Sequence, residues 1–166
     1  GAMWISDRLD KWLNGFKLHG TPNLAGALAM TQAVEDACDK EQIQVRFDCW
    51  DEPYWFLYSQ LIENQIDFEF VEKSELWNFC PAINAIRLLG FNADALQQFL
   101  SSKQVYVSIG GSACAEKHDY RVLNAYGLNN DESSEVIRVS FGEDSSVEDV
   151  EALVEGIKNF KELYLK

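Results

Sequence analysis

A cysteine and an arginine stand out for the chemistry their surroundings allow. Cys114 ends the run Val105-Tyr-Val-Ser-Ile-Gly-Gly-Ser-Ala-Cys114. There, a β-branched, strand-like stretch at 105–109 is broken by Gly110-Gly111-Ser112 and followed by a helical pattern. A thiol delivered to a turn before a helix is placed for reaction more often than for packing. Its reactive form is the thiolate, which a helix N-terminus and a nearby cation, Lys117 or His118, would favour. The competing reading is an inert cysteine among glycines, with His118 a cap or loop residue rather than a base. Arg138 lies in Val136-Ile-Arg-Val-Ser-Phe-Gly142, a second strand-like run. Its guanidinium fork suits bidentate capture of a carboxylate; otherwise it pairs with an acid such as Asp94 or Glu135.

The elements that must position these residues follow from period and punctuation. Gly1-Ala-Met3 has the look of a tag-cleavage scar ahead of a start methionine. Over 4–19, the apolar residues Ile5, Leu9, Trp12, Leu13 and Phe16 recur at helical spacing, and the resulting helix packs on its own domain or on a partner. Thr21-Pro22 is a good start for a helix running to about Asp39, with a hydroxyl cap and proline at the first helical position. The brief alternation Ile43-Gln-Val-Arg-Phe47 predicts a strand, and 48–53 a loop. An aromatic helix over 53–65 follows, central to the core or part of an interface. Strands are expected at 67–72 and 83–89, and a helix capped by Asn92 runs to Leu100. A capping box at Ser145-Ser-Val-Glu148 opens a terminal helix with Val147, Val150, Leu153, Val154 and Ile157 on one stripe. The order predicts an α+β fold, a small, mostly antiparallel sheet of about four strands with helices packed on it.

Composition narrows the classes of function. With 166 residues, 47% hydrophobic and five Trp, the chain can bury one sizeable core. A formal net charge of −13 argues against a phosphate-backbone partner, so nucleic acid is not expected. No apolar run is long enough to span a membrane, and no secretory pattern is present; the expected location is cytoplasmic. Cys38, Cys49, Cys80 and Cys114 have no metal-ligand spacing with the two histidines. Reduced thiols are expected, the first three buried as small hydrophobes.

The motifs Gly111-Ser-Ala-Cys114, Arg121-Val-Leu-Asn-Ala-Tyr-Gly-Leu-Asn129 and Ile137-Arg-Val-Ser-Phe-Gly142, with the helix start after them, resemble the C-terminal small domain of cysteine desulfurases. These are pyridoxal-phosphate enzymes of fold type I, related to class V aminotransferases. Gly20-Thr-Pro-Asn-Leu-Ala-Gly26 resembles the helix by which that family enters its small domain. The resemblance implies that residues 20–166 form one desulfurase-like small domain. Cys114 would then be the sulfur acceptor, Arg138 the holder of the substrate carboxylate, and Thr21 a contact to the cofactor phosphate. The family's Schiff-base lysine segment is absent, so no cofactor is expected on this chain alone; pyridoxal phosphate would enter only with a large domain or partner. Two functions follow: part of a sulfur-transfer enzyme completed by another chain or domain, or a non-catalytic interaction or regulatory module that kept the fold. Either implies a protein partner or self-association through an apolar, aromatic surface. If Cys114 is activated, its alkylation rate plotted against pH will show a thiolate forming below the ordinary thiol pKa of about 8.5, and Cys114→Ala will remove that component. A profile matching an unperturbed thiol would make Cys114 inert.

Overall fold

In the computed structural model, the described residues are 23–71, 80–110 and 119–164. The chain forms two compact units, 1–42 and 43–166. In the first, helix α1 (Leu24–Ala37) is capped by Asn23, whose side chain accepts a hydrogen bond from the Gly26 amide at 2.9 Å. The cap is thus Asn23, two residues beyond the expected Thr21; Thr21 and the predicted 4–19 helix lie outside the described residues. No residue of α1 is buried.

Helix α2 (Lys40–Glu63) begins where the Asp39 carboxylate accepts from the amides of Glu41 and Gln42, at 2.8 and 3.1 Å. It replaces both the strand predicted at 43–47 and the loop predicted at 48–53. Five alternating residues are too few to hold a strand without a partner. With Asp39 capping the start and Gln44 bonding Asp48 one turn on at 2.8 Å, the helix continues through Pro53. Ile43, Val45 and Phe47 are left exposed on it.

The second unit is built on a four-stranded antiparallel sheet of order β1-β2-β4-β3: β1 (Phe68–Phe70), β2 (Ile83–Leu88), β3 (Ser108–Ile109) and β4 (Val136–Ser140). The expected α+β class and sheet size are both met. Helix α3 (Ala93–Ser102) starts at Asn92, as read from the sequence, with the Asn92 side chain accepting from the Ala95 amide at 2.9 Å. Short helices α4 (Arg121–Ala125) and α5 (Asn130–Ser133) lead into β4, and α6 (Val147–Tyr164) closes the unit.

The expected strand at 105–109 pairs only at its last two residues. Gln104 adopts a left-handed φ of 64°, and the Gln97 side-chain amide donates to the Val107 carbonyl at 2.9 Å, holding 105–107 away from β4. The capping box of α6 sits one residue later than predicted. The Ser146 and Asp149 side chains exchange hydrogen bonds with each other's backbone amides, while Ser145 Oγ accepts from the Gly142 amide at 2.8 Å. The cysteines also depart from expectation, since Cys38 and Cys80 are exposed and Cys49 half-buried, all three as free thiols. Cys38 stands at the C-terminal cap of α1, a helix that buries no residue.

Alternation along β2 and β4 separates two faces. Ile86, Leu88, Ile137 and Val139 face a core with Leu57 and Leu61 of α2, Leu96 and Leu100 of α3, and Val150, Leu153 and Ile157 of α6. Val71, Val136 and Leu123 form a smaller cluster with Ala85, Tyr120 and Leu128, which includes the opposite face of the sheet. Leu96 is completely buried. Leu96→Ala is therefore expected to lower the unfolding free energy by about 2–5 kcal/mol. Leu163→Ala, at a side chain that is 64% exposed, should change it by less than about 0.5 kcal/mol. Denaturant melts of the two variants check both values.

Candidate functional site

The smaller face of the sheet carries two arginines in contrasting states. Arg87 on β2 is enclosed by acids: its Nε donates to Glu135 at 2.7 Å, and its NH1 lies 3.1 Å from Glu132 and 3.4 Å from Glu69. Glu135 also accepts from the Gly90 amide at 2.9 Å. The hydrogen bond to Glu135, with the three negative charges around it, holds the Arg87 guanidinium above its already high ordinary pKa. Glu132 is itself fixed, closing a capping box with Asn129 at the start of α5. Arg87 is a structural cation that ties β1, β2 and the α5–β4 junction together.

Arg138 on β4 is half-buried, and among the described residues it makes no ion pair. The Glu135 considered for it on sequence grounds is instead held by Arg87. Arg138 opens onto a cleft of about 160 Å³, which it lines together with Ile83, Ala85, Val122, Tyr126 and Gly110. Gly110 has φ 74°, a left-handed conformation that disfavours a side chain, and it turns the chain out of β3 at the edge of this cleft. The segment that leaves there carries Cys114. Cys114, Lys117, His118 and Thr21 all lie outside the described residues, so the expectations for them rest on sequence.

The apolar walls were not singled out as site residues in the sequence. Tyr126 and Val122 belong to the quoted motif at 121–129, where they read as helix residues; only the return of α4 over the Arg138 face makes them walls. At the entry to α4, Asp119 receives Arg121 Nε at 2.9 Å and its NH2 at 2.6 Å. That bond and a further one from the Arg121 amide hold the Asp119 carboxyl below the ordinary range. Among the described residues, no group of side chains has the arrangement of a metal site, and no helix is long and apolar enough to cross a membrane.

Comparison with known proteins gives this geometry a family. The sequence profile of class-V aminotransferases matches residues 11–153. The chain belongs to the class-V aminotransferase family. Among solved structures, a NifS-like protein superposes with a TM-score of 0.62 at 22% identity, over 86% of this chain and 35% of that one. The NifS-like protein from Rickettsia africae gives 0.64 at 19% identity, over 87% and 36%. The cysteine desulfurase CsdA from Escherichia coli gives 0.62 at 21% identity, over 87% and 32%. At these identities the likeness shows the fold, and the chain spans about a third of the length of each. No curated protein gives a significant match.

Class-V aminotransferases depend on pyridoxal phosphate. The Arg138 cleft does not fit that group by itself. Among the described residues, its lining offers one guanidinium, no amine for a Schiff base and no carboxylate to face a ring nitrogen.

The Asp119 pair yields a test by titration. A depressed carboxyl contributes stability above the ordinary aspartate pKa and loses it as pH falls through the lowered value. The Asp119 carboxyl carbon, followed by NMR, should titrate below the ordinary range and move upward in Arg121→Gln.

Proposed function

We propose that this chain supplies the substrate-holding, sulfur-accepting side of a cysteine-desulfurase-like, pyridoxal-phosphate-dependent sulfur-transfer enzyme. It is catalytically incomplete until a large domain or partner chain brings the cofactor. The observation that carries this reading is Arg138, a half-buried guanidinium without an acid partner among the described residues, in a cleft that also includes Gly110, four residues before Cys114 in sequence. A bare guanidinium on an apolar floor binds a planar carboxylate through two parallel N–H donors. Ile83, Val122 and Tyr126 line the cleft beside it while remaining exposed themselves, so the pair forms close to solvent.

In this reading, Arg138 orients a small amino acid by its carboxylate, Cys114 takes up the sulfur, and Thr21 contacts the cofactor phosphate of the completed enzyme. Arg87 has no part in binding because its donors already face Glu69, Glu132 and Glu135. The second reading, a non-catalytic interaction or regulatory module, is favoured by the lack of an amine and a carboxylate among the described residues of the cleft. Under that reading, Arg138 would bind a carboxylate of a partner protein.

Titration with alanine, followed through the arginine side-chain N–H resonances, should perturb Arg138 and leave Arg87 unmoved. Arg138→Gln should weaken binding by about tenfold or more, as expected for a charge-assisted pair worth about 1.5–3 kcal/mol. Pyridoxal phosphate and cysteine added to this chain alone should yield no sulfide. Sulfide appearing only with an added large domain supports the enzyme reading, and its absence there supports the module. Sulfide from the chain alone would overturn its incompleteness.

A further inference from the structure

The opposite edge of the sheet carries a feature that the Arg138 cleft does not use. Among the described residues, β1 is the terminal strand and pairs only with β2. The Leu89 amide donates to Asp67 O, and the Val71 amide to Ala85 O, both at 3.0 Å. With the register Phe68↔Leu88 and Phe70↔Ile86, these bonds turn the backbone groups of Asp67, Glu69 and Val71 inward. Phe68 and Phe70 are therefore wide-pair residues, and their N–H and C=O groups point away from the sheet. Among the described residues, neither has a hydrogen bond outside the strand pairing. Edges of this kind are ordinarily blunted by lysine, proline or a covering element.

Beside this edge lies an aromatic shelf. Trp55, Tyr58 and Ile62, spaced along one face of α2, are all exposed. Tyr58 stacks on Phe70 at 6.3 Å and meets Phe68 edge-on at 5.7 Å, so the shelf continues onto the strand. Trp55 meets Tyr58 edge-on at 5.9 Å, and its indole N–H is held by Asp51 at 3.1 Å. Between Phe47 and Val71 there is no Lys or Arg, while Asp48, Asp51, Glu52, Glu63, Asp67 and Glu69 all fall within that stretch. Unpaired backbone, exposed rings and an acid-rich stretch thus coincide, with Glu69 met by Arg87 and the Lys161 ammonium held at the Gln65 carbonyl. A second copy of the chain would bring the same acids against these and be repelled.

We propose that the β1 edge with the Trp55–Tyr58 shelf is a docking site for an extended, basic segment of a partner protein. The segment adds a strand beside Phe68–Phe70, and its alternate side chains lie over Tyr58 and Trp55. Guanidinium or ammonium groups then reach ring faces and the carboxylates around them. This site is independent of the sulfur-transfer reading, because it lies on the sheet edge away from β3 and β4.

The test uses the full chain and a labelled peptide of alternating arginine and valine, with anisotropy as the readout. The peptide should bind, and its glutamate-valine counterpart should not. Trp55→Ala and Tyr58→Ala should each weaken binding by about tenfold, the scale of aromatic anchors at interfaces. Two further peptides, N-methylated at odd or at even positions, should differ from each other by about tenfold or more, since only one set of amides faces a paired strand. Equal affinity for both methylated forms, or for the wild type and the Trp55 and Tyr58 variants, would overturn strand addition and leave only charge attraction. A dimer in sedimentation that Trp55→Asp dissolves would overturn the basic partner in favour of a second copy.

Discussion

The register of β2 against β4 is the constraint on which the rest of the second unit depends. Pairing Ala85 with Arg138 and Ile86 with Ile137 assigns every side chain of both strands to a face. A slip of one residue would flip one strand against the other, turning either Ile86 and Leu88 or Ile137 and Val139 out of the main core and driving Arg87 or Arg138 into it. Burying unpaired guanidinium groups costs far more than the sheet could recover. The apolar core and the two cations thus enforce the same register from opposite sides.

That register also explains why one arginine is structural and the other available. Arg87 is brought level with Glu69 on β1 and meets Glu132 and Glu135 at the α5–β4 junction. The three carboxylates satisfy it and draw neighbouring elements together. Arg138 stands on the same face but beside β3, where Gly110 turns the chain away and the walls are Ile83, Val122 and Tyr126. An acid near it would have made it another tie; none is in place among the described residues. The face is divided into a closed ionic half and an open half that can take a carboxylate from outside.

In the proposed reading, this chain holds one side of a reaction and another domain or chain brings the cofactor's side. An anchoring guanidinium needs only a rigid strand and an apolar surround. Among the described residues, the cleft lining holds neither an amine nor a carboxylate.

Several features were legible in the sequence because their causes are local. Asn92 as a helix cap, the alternation at 83–88 and 136–140, and the long amphipathic α6 each follow from neighbours within a few residues. The motifs around Cys114 and Arg138 were enough to indicate the family and the small-domain fold. What the sequence misread turned on distant partners or on competition between close alternatives. The strand expected at 43–47 has no neighbour to pair with and is absorbed into α2. The strand expected at 105–107 loses its pairing to the Gln97 amide and the left-handed Gln104. The sequence by itself determined which residues could alternate, cap or carry charge. Only the tertiary structure decided that Glu135 would go to Arg87, 48 residues away, rather than to Arg138, three residues along the same strand region. Glu135 lies in the turn before β4, where its amide donates to the Glu132 carbonyl at 3.1 Å, so strand alternation does not assign its side chain and nearness along the chain could not decide the partner.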